Sequence, residues 1–205
     1  MRQPGSGFSL IELVVAIAIV GVLLALGAPN YSSWIKSSQI RTAAESIQNG
    51  LQLARGEAVR RNSQIRFQLT STTGSDCVLS TTVTNWIVSY DDPASACDTA
   101  MLNEAFPVTD ATNNPSPRMI QVRPATEGSS DVVAAAGQST IIFNGLGRVT
   151  NAATNPVIID LSNPSGGDCS KVRCLRVTVS TGGQVRMCDP RLTTTNPTDP
   201  QSCPA

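Results

Sequence analysis

A chain of 205 residues has room for one ordinary domain beside an N-terminal segment, and its 15 basic against 15 acidic residues exclude a polycation built for nucleic acid. Histidine is absent, which rules out Ser-His-Asp and Cys-His catalysis, histidine-containing zinc sites and histidine acid/base chemistry. Aromatics make up only 4%, while Gly, Pro, Ser, Thr and Asn crowd the second half, a composition of short strands and many turns rather than a helical bundle.

Residues 1–7, MRQPGSG, are polar with one cation, Arg2, and from Phe8 to Ala28 the chain is apolar apart from Ser9 and Glu12. A helix over that run is about 31 Å long, enough to cross a bilayer core. A secretory signal carries its small-residue cleavage site behind the apolar stretch. Here the candidate cut, Gly7-Phe8, lies ahead of it, so cleavage leaves the helix on the mature chain. An ordinary membrane anchor would explain the hydrophobicity but not Glu12. A carboxylate costs about 2.5–3.5 kcal/mol at the bilayer centre, less near the interface, and is a functional hypothesis once a partner is named. Phe8 and Glu12 stand four apart on one helix face. An amine freed at Phe8 lies at the same depth as that carboxylate, and between chains the pair can set how far one helix slides along another. For an isolated segment the alternative is an interfacial Glu that snorkels.

The stretch GFSLIELVVAIAIVGVLLALGAPNY resembles the class III signal of type IV prepilins and pseudopilins. Gly7 matches the residue before the cut, Phe8 the N-methylated first mature residue, and Glu12 the acidic residue used in assembly. Gly21 and Pro29 match positions where the pilin helix is weakened; Pro29 removes one backbone donor and crowds the preceding turn, so local melting is expected there. The resemblance implies several partners: a prepilin peptidase, other minor and major pilins or pseudopilins, an inner-membrane assembly platform, and membrane lipid before extraction. It also implies a place in the bacterial inner membrane, single-pass with the C-terminal domain in the periplasm, and then a pilus or pseudopilus.

Beyond Pro29 the helical pattern resumes. Ile40, Ala43, Ala44, Ile47, Leu51, Ala54 and Ala58 form one apolar stripe, with Arg41, Arg55, Arg60 and Arg61 against Glu45 and Glu57 on the other face, read as solvated. Gly50 and Gly56 weaken the helix and could let a sheet pack close. The pattern ends near Asn62-Ser63, giving one helix from Phe8 to about Arg61. Strands are expected around Ile65–Leu69 and at 83–90, 119–122, 139–144, 156–161, 173–180 and 184–188, the last two joined by a turn at Thr181-Gly182-Gly183. Loops fill 91–118, 123–138 and 162–170. The organisation expected is a leader over 1–7, a transmembrane and assembly helix over 8–29, its amphipathic continuation over 30–62, a β-rich domain over 63–192 and a loop-like tail over 193–205.

Cys77, Cys97, Cys169, Cys174, Cys188 and Cys203 all lie beyond the apolar run, an even count that suggests disulfides in an oxidising compartment. No C-x-x-C pair supports a zinc site of thiolates, and neither a metal nor a cofactor is expected. Six cysteines allow about fifteen pairings. The sequence alone does not choose among them; the set expected here is Cys77 with Cys97 and Cys188 with Cys203, because each pair brackets a single loop, with Cys169 and Cys174 then left to each other.

QLARGEAVRRNSQI at 52–65, IIFNGLGRVT at 141–150 and LRVTVSTGGQVRMCDP at 175–190 resemble the GspH/FimT family of minor pilins and pseudopilins, with C-D-P after a basic hairpin favouring the pilus branch. The resemblance implies an α+β, type IV pilin-like fold: a long N-terminal helix, half in membrane, packed on an antiparallel β-sheet domain. It implies a non-enzymatic minor subunit of a pilus, with a type II secretion pseudopilin as the alternative. Some members of the pilus branch bind DNA through a G-R-x-R motif in the final hairpin. Here the matching residues are Gly183, Gln184, Val185 and Arg186, so the first arginine is missing. Lys171, Arg173, Arg176, Arg186 and Arg191 face only Asp189 within that stretch and could touch phosphates. No aromatic side chain lies there to stack bases, so DNA contact ranks below the structural role. Carboxylates such as Asp91, Asp92 and Asp160 have no nucleophile beside them.

Overall fold

The structure, a computed structural model, describes residues 9–93, 95–127, 130–164 and 169–203, and of residues 25–30 the backbone alone. Gly7 and Phe8 therefore lie outside the described residues. One helix, α1, runs from Leu10 to Arg61. Ser9 starts it in extended geometry, its Oγ accepting the Glu12 N–H at 3.3 Å, which satisfies one of the donors that a helix start leaves open. Asn62 ends it at φ 47°, its N–H donating to the Ala58 and Val59 carbonyls. The helical backbone continues through Gly21 and Pro29.

Leu10, Ile11, Ile17, Leu23 and Leu24 are all exposed. Among the described residues no helix is long and apolar enough to cross a membrane; of the apolar run from Phe8 to Ala28, side chains are described only from Ser9 to Leu24.

The second half of α1 carries the fold. Ile40, Ala43, Ala44, Ile47, Leu51, Ala54 and Ala58 are 0–1% exposed, the stripe read from three- and four-residue spacing. It packs on two antiparallel sheets rather than one. The first joins β1 (Ile65–Leu69), β2 (Trp86–Ser89), β3 (Met119–Arg123) and β5 (Thr140–Phe143) in the order β3-β2-β1-β5. The second joins β4 (Val133–Ala136), β6 (Val157–Ser162), β7 (Leu175–Val179) and β8 (Val185–Cys188) in the order β4-β6-β7-β8. Strand β4 lies inside the stretch expected to be loop; its Val-Ala-Ala-Ala carries little β signal and gains its place by pairing with β6. The tail holds a further single turn, α2 (Leu192–Thr195), where loop was expected.

Alternation does the packing. On β6, Val157, Ile159 and Leu161 are buried while Ile158, Asp160 and Ser162 are half-exposed. Both sheets and the helix share one apolar core. At Gly50 α1 lies close against the first sheet: a methyl group there would sit 2.8 Å from the Phe67 ring and 3.0 Å from Trp86. Gly56 is different, with nothing within 4 Å of such a methyl; it faces open space and brings no sheet closer. The sheets are tied where the turn after β5 meets the β7–β8 turn. Val149 N–H donates to Thr181 C=O at 3.1 Å, and a Cβ on Gly183 (φ 80°) would lie 1.8 Å from the Gly147 carbonyl oxygen. Only glycine fits there.

Three disulfides staple the periphery, Cys77–Cys97, Cys169–Cys174 and Cys188–Cys203. The first holds the long loop after β2 against Ile87 and Met119. The third closes the tail back onto the end of β8, where Asp189 N–H donates to Gln201 C=O at 2.7 Å.

Candidate assembly and partner-binding surfaces

Three surfaces carry the residues singled out in the sequence. The first is the free half of α1. Glu12 sits in its first turn, where the positive end of the helix dipole favours a carboxylate. Tyr31 and Trp34, both about two-thirds exposed, stack at 6.1 Å between centroids at the point where the helix leaves the domain. Gly7, Phe8 and the side chain of Pro29 are outside the described residues.

The second is the basic group near β7 and β8, and it is not a free cationic patch. Arg173 Nε donates to Asp189 Oδ2 at 3.0 Å and its Nη2 to Gln201 Oε1. Arg191 donates to Asp189 through its backbone N–H at 3.0 Å and its guanidinium at 3.3 and 3.4 Å, and to the Cys169 carbonyl at 2.9 Å. Arg176 grips Asp160 with two bonds of 2.6 and 3.0 Å. Within the stretch 171–191 the sequence offers these cations Asp189 alone, whereas the β6–β7 register brings Asp160 opposite Arg176. The Asp189 side chain is 3% exposed. Burial pushes its carboxyl up, yet the bonds from Arg191 and Arg173 outweigh that and hold it below the usual carboxylate range. Lys171 and Arg186 form no ion pair among the described residues.

Between α1 and this group lies a cleft of about 500 Å³, walled by Trp34, Ser38 and Arg41 on one side and Leu175, Met187 and Asp189 on the other.

The third surface is at the far end of α1, where the face read as solvated is in part locked. Arg61, 11% exposed, bonds Glu57 at 2.6 Å and also Glu104 from the loop before β3. Burial pushes Glu57 up, but the hydrogen bonds from Arg60 and Arg61 bring it below its ordinary value. Arg61 and Arg118 stand 5.7 and 5.2 Å from the Tyr90 ring centre, and Arg118 clasps Asp91 with bonds of 2.7 and 2.6 Å. Glu104 and Arg118 escape a reading of the sequence because both sit in or beside the long loop, with no periodic signal to place them.

Comparison with known proteins gives two family matches on this architecture. The family model described as Type II transport protein GspH matches residues 43–183, and the prokaryotic N-terminal methylation motif matches residues 4–28. Among curated relatives, the type IV major fimbrial protein FimA of Dichelobacter nodosus is 43% identical over 60 residues, 29% of this chain and 33% of its own. The fimbrial protein EcpC of Eikenella corrodens is 42% identical over 43 residues, 21% of this chain and 28% of its own. The chain thus spans about a quarter to a third of the length of the curated relatives it matches. A crystal structure of the type IV minor pilin FimU of Pseudomonas aeruginosa is similar at 14% identity and a TM-score of 0.45, over 80% of this chain and 99% of that one. The family model covers most of the chain, from the second half of α1 through β7 and into the turn before β8: the protein belongs to the GspH family and is a pilin-like chain with an N-terminal methylation motif.

Proposed function

We propose that the chain is a minor structural subunit of a type IV pilus. A prepilin peptidase cuts after Gly7 and methylates Phe8. The mature chain stands in the inner membrane by its N-terminal helix, with the two-sheet domain in the periplasm, until an assembly platform lifts it into a filament of other minor and major pilins. The observation that carries this is the junction of a methylation motif over 4–28 with a family domain over 43–183 through a single helix. The apolar surface of Leu10–Leu24, free of the domain core, supports it: such a surface needs lipid or neighbouring helices around it. In the filament Glu12 neutralises the amine of an adjacent subunit, and Gly21 and Pro29 are the places where α1 loosens. The role is structural and not catalytic.

The GspH description of the family model favours a second reading, a minor pseudopilin of type II secretion, which has the same physics and a different cargo. A DNA-binding pilin is the least supported, because Arg173, Arg176 and Arg191 already spend their charge on Asp189 and Asp160.

Deleting the gene and scoring surface pili against exported protein separates the first two: loss of pili with normal secretion is expected. For Glu12→Ala the expected outcome is a chain that inserts and is cut but does not assemble. Normal entry of that variant into filaments, or a native N-terminus found by mass spectrometry at Met1 or beyond Ala28, contradicts the reading.

A further inference from the structure

Strands β3 and β5 border the first sheet and β4 and β8 the second. An edge strand leaves alternate N–H and C=O groups without a ladder partner, a ready template for another strand. Two of these edges are covered by the chain's own loops, and β3 is met by one at its first residue alone. Ala134 and Ala136 of β4 donate to the Thr82 and Thr81 carbonyls at 3.2 and 2.9 Å. Ile142 of β5 accepts from Thr150 N–H at 3.0 Å and donates to Asn151 Oδ1 at 2.8 Å. Met119 of β3 accepts from Leu102 N–H at 2.6 Å.

Strand β8 differs. Ser180 N–H donates to Gln184 C=O, and Arg186 and Cys188 continue that inward phase toward Thr178 and Arg176 of β7. Asp189 N–H points the other way, to Gln201. Val185 and Met187 share the outward phase of Asp189, and neither their N–H nor their C=O has a partner outside β7 among the described residues. Arg186 stands exposed between them with no ion pair among the described residues, since Asp160 is held by Arg176 and Asp189 by Arg173 and Arg191. Met187 lines the cleft against α1.

We propose that the outer edge of β8 at Val185–Met187 is a docking site for an extended, acidic segment of a partner protein, which adds to the second sheet as a fifth strand with a carboxylate opposite Arg186. Backbone bonds from Val185 and Met187 hold the segment, and alternate side chains fall toward the α1 cleft on one face and toward Arg186 on the other. The disulfide-closed tail covers Asp189 and ends the site there. A second copy of the chain fits poorly. The symmetric register that uses the open groups of both Val185 and Met187 sets Arg186 against Arg186, where like charges destabilise. Nucleic acid fits poorly too, because a phosphate backbone has no donor for the two open carbonyls.

The test uses the full chain in detergent micelles and two capped pentapeptides, TVEVT and TVKVT, with a DNA duplex as third probe and amide hydrogen exchange as the readout. TVEVT should slow exchange at Val185 and Met187 and bind about fivefold tighter than TVKVT, and Arg186→Glu should reverse that order. Met187→Pro, which removes one outward N–H in a position edge strands tolerate, should abolish the protection of Val185 while circular dichroism stays native. Equal binding of the two peptides, an order unchanged by Arg186→Glu, protection by the duplex in place of the peptide, or concentration-dependent protection with no probe present would each overturn the proposal. None of these readouts depends on filament assembly.

Discussion

Replacing Asp189 by Asn tests the account of the basic group most directly. The wild-type carboxylate is buried and takes bonds from Arg173 Nε and from the Arg191 backbone N–H, both at 3.0 Å, with the Arg191 guanidinium at 3.3 and 3.4 Å. Bonds to a charged group contribute about 1.5–3 kcal/mol each, and removing one partner of a buried pair costs about 3–5 kcal/mol. Both arginine side chains are about two-fifths exposed and regain water once released, which places the cost at the lower end, about 3 kcal/mol. For a chain of this size that lowers Tm by about 6–12 °C, read by calorimetry at pH 7 with disulfides intact. The pH dependence fixes the sign. Because folding depresses the Asp189 pKa, its stabilisation is present above the unfolded carboxylate value of about 3.9 and fades as pH falls through the lower folded value. The gap between wild type and variant should therefore be full at pH 7 and narrow below about pH 4. Equal Tm values at pH 7, or a gap that widens on acidification, would refute the reasoning.

Other substitutions probe the packing. Gly183→Ala forces a side chain into the left-handed region and into the Gly147 carbonyl, so a loss of about 3 kcal/mol or more is expected from chemical denaturation. Gly50→Ala should cost about 1–3 kcal/mol by pressing on Phe67 and Trp86, whereas Gly56→Ala, facing open space, should stabilise by about 0.5–1 kcal/mol; the opposite signs are the check. Cys203→Ser opens a loop of sequence separation 15. It should cost about 3 kcal/mol and expose 190–203 to limited proteolysis.

Part of this architecture is legible in the order of residues alone. The apolar run with its lone acid, the methylation motif over 4–28 and the stripe from Ile40 to Ala58 are local patterns, set by the order and spacing of neighbouring residues. The strands of high β-propensity fall within a few residues of their expected places, although the stretch expected at 83–90 shortens to Trp86–Ser89. Strand β4 is not legible in that way, since Ala-rich backbone gains a strand only from its neighbour β6.

The character of the N-terminal rod, the helix that continues it and the identity of most β-rich segments are written in local sequence, because each depends on residues close together along the chain. Long-range packing is what divides the strands into two sheets and lets Asp160 and Asp189 pair with three of the five basic residues. It also brings two glycine turns together at Gly147 and Gly183 and leaves β8 as an open edge. Those outcomes rest on strand register and chain crossing, which join groups far apart in sequence, and no local pattern records which groups those will be.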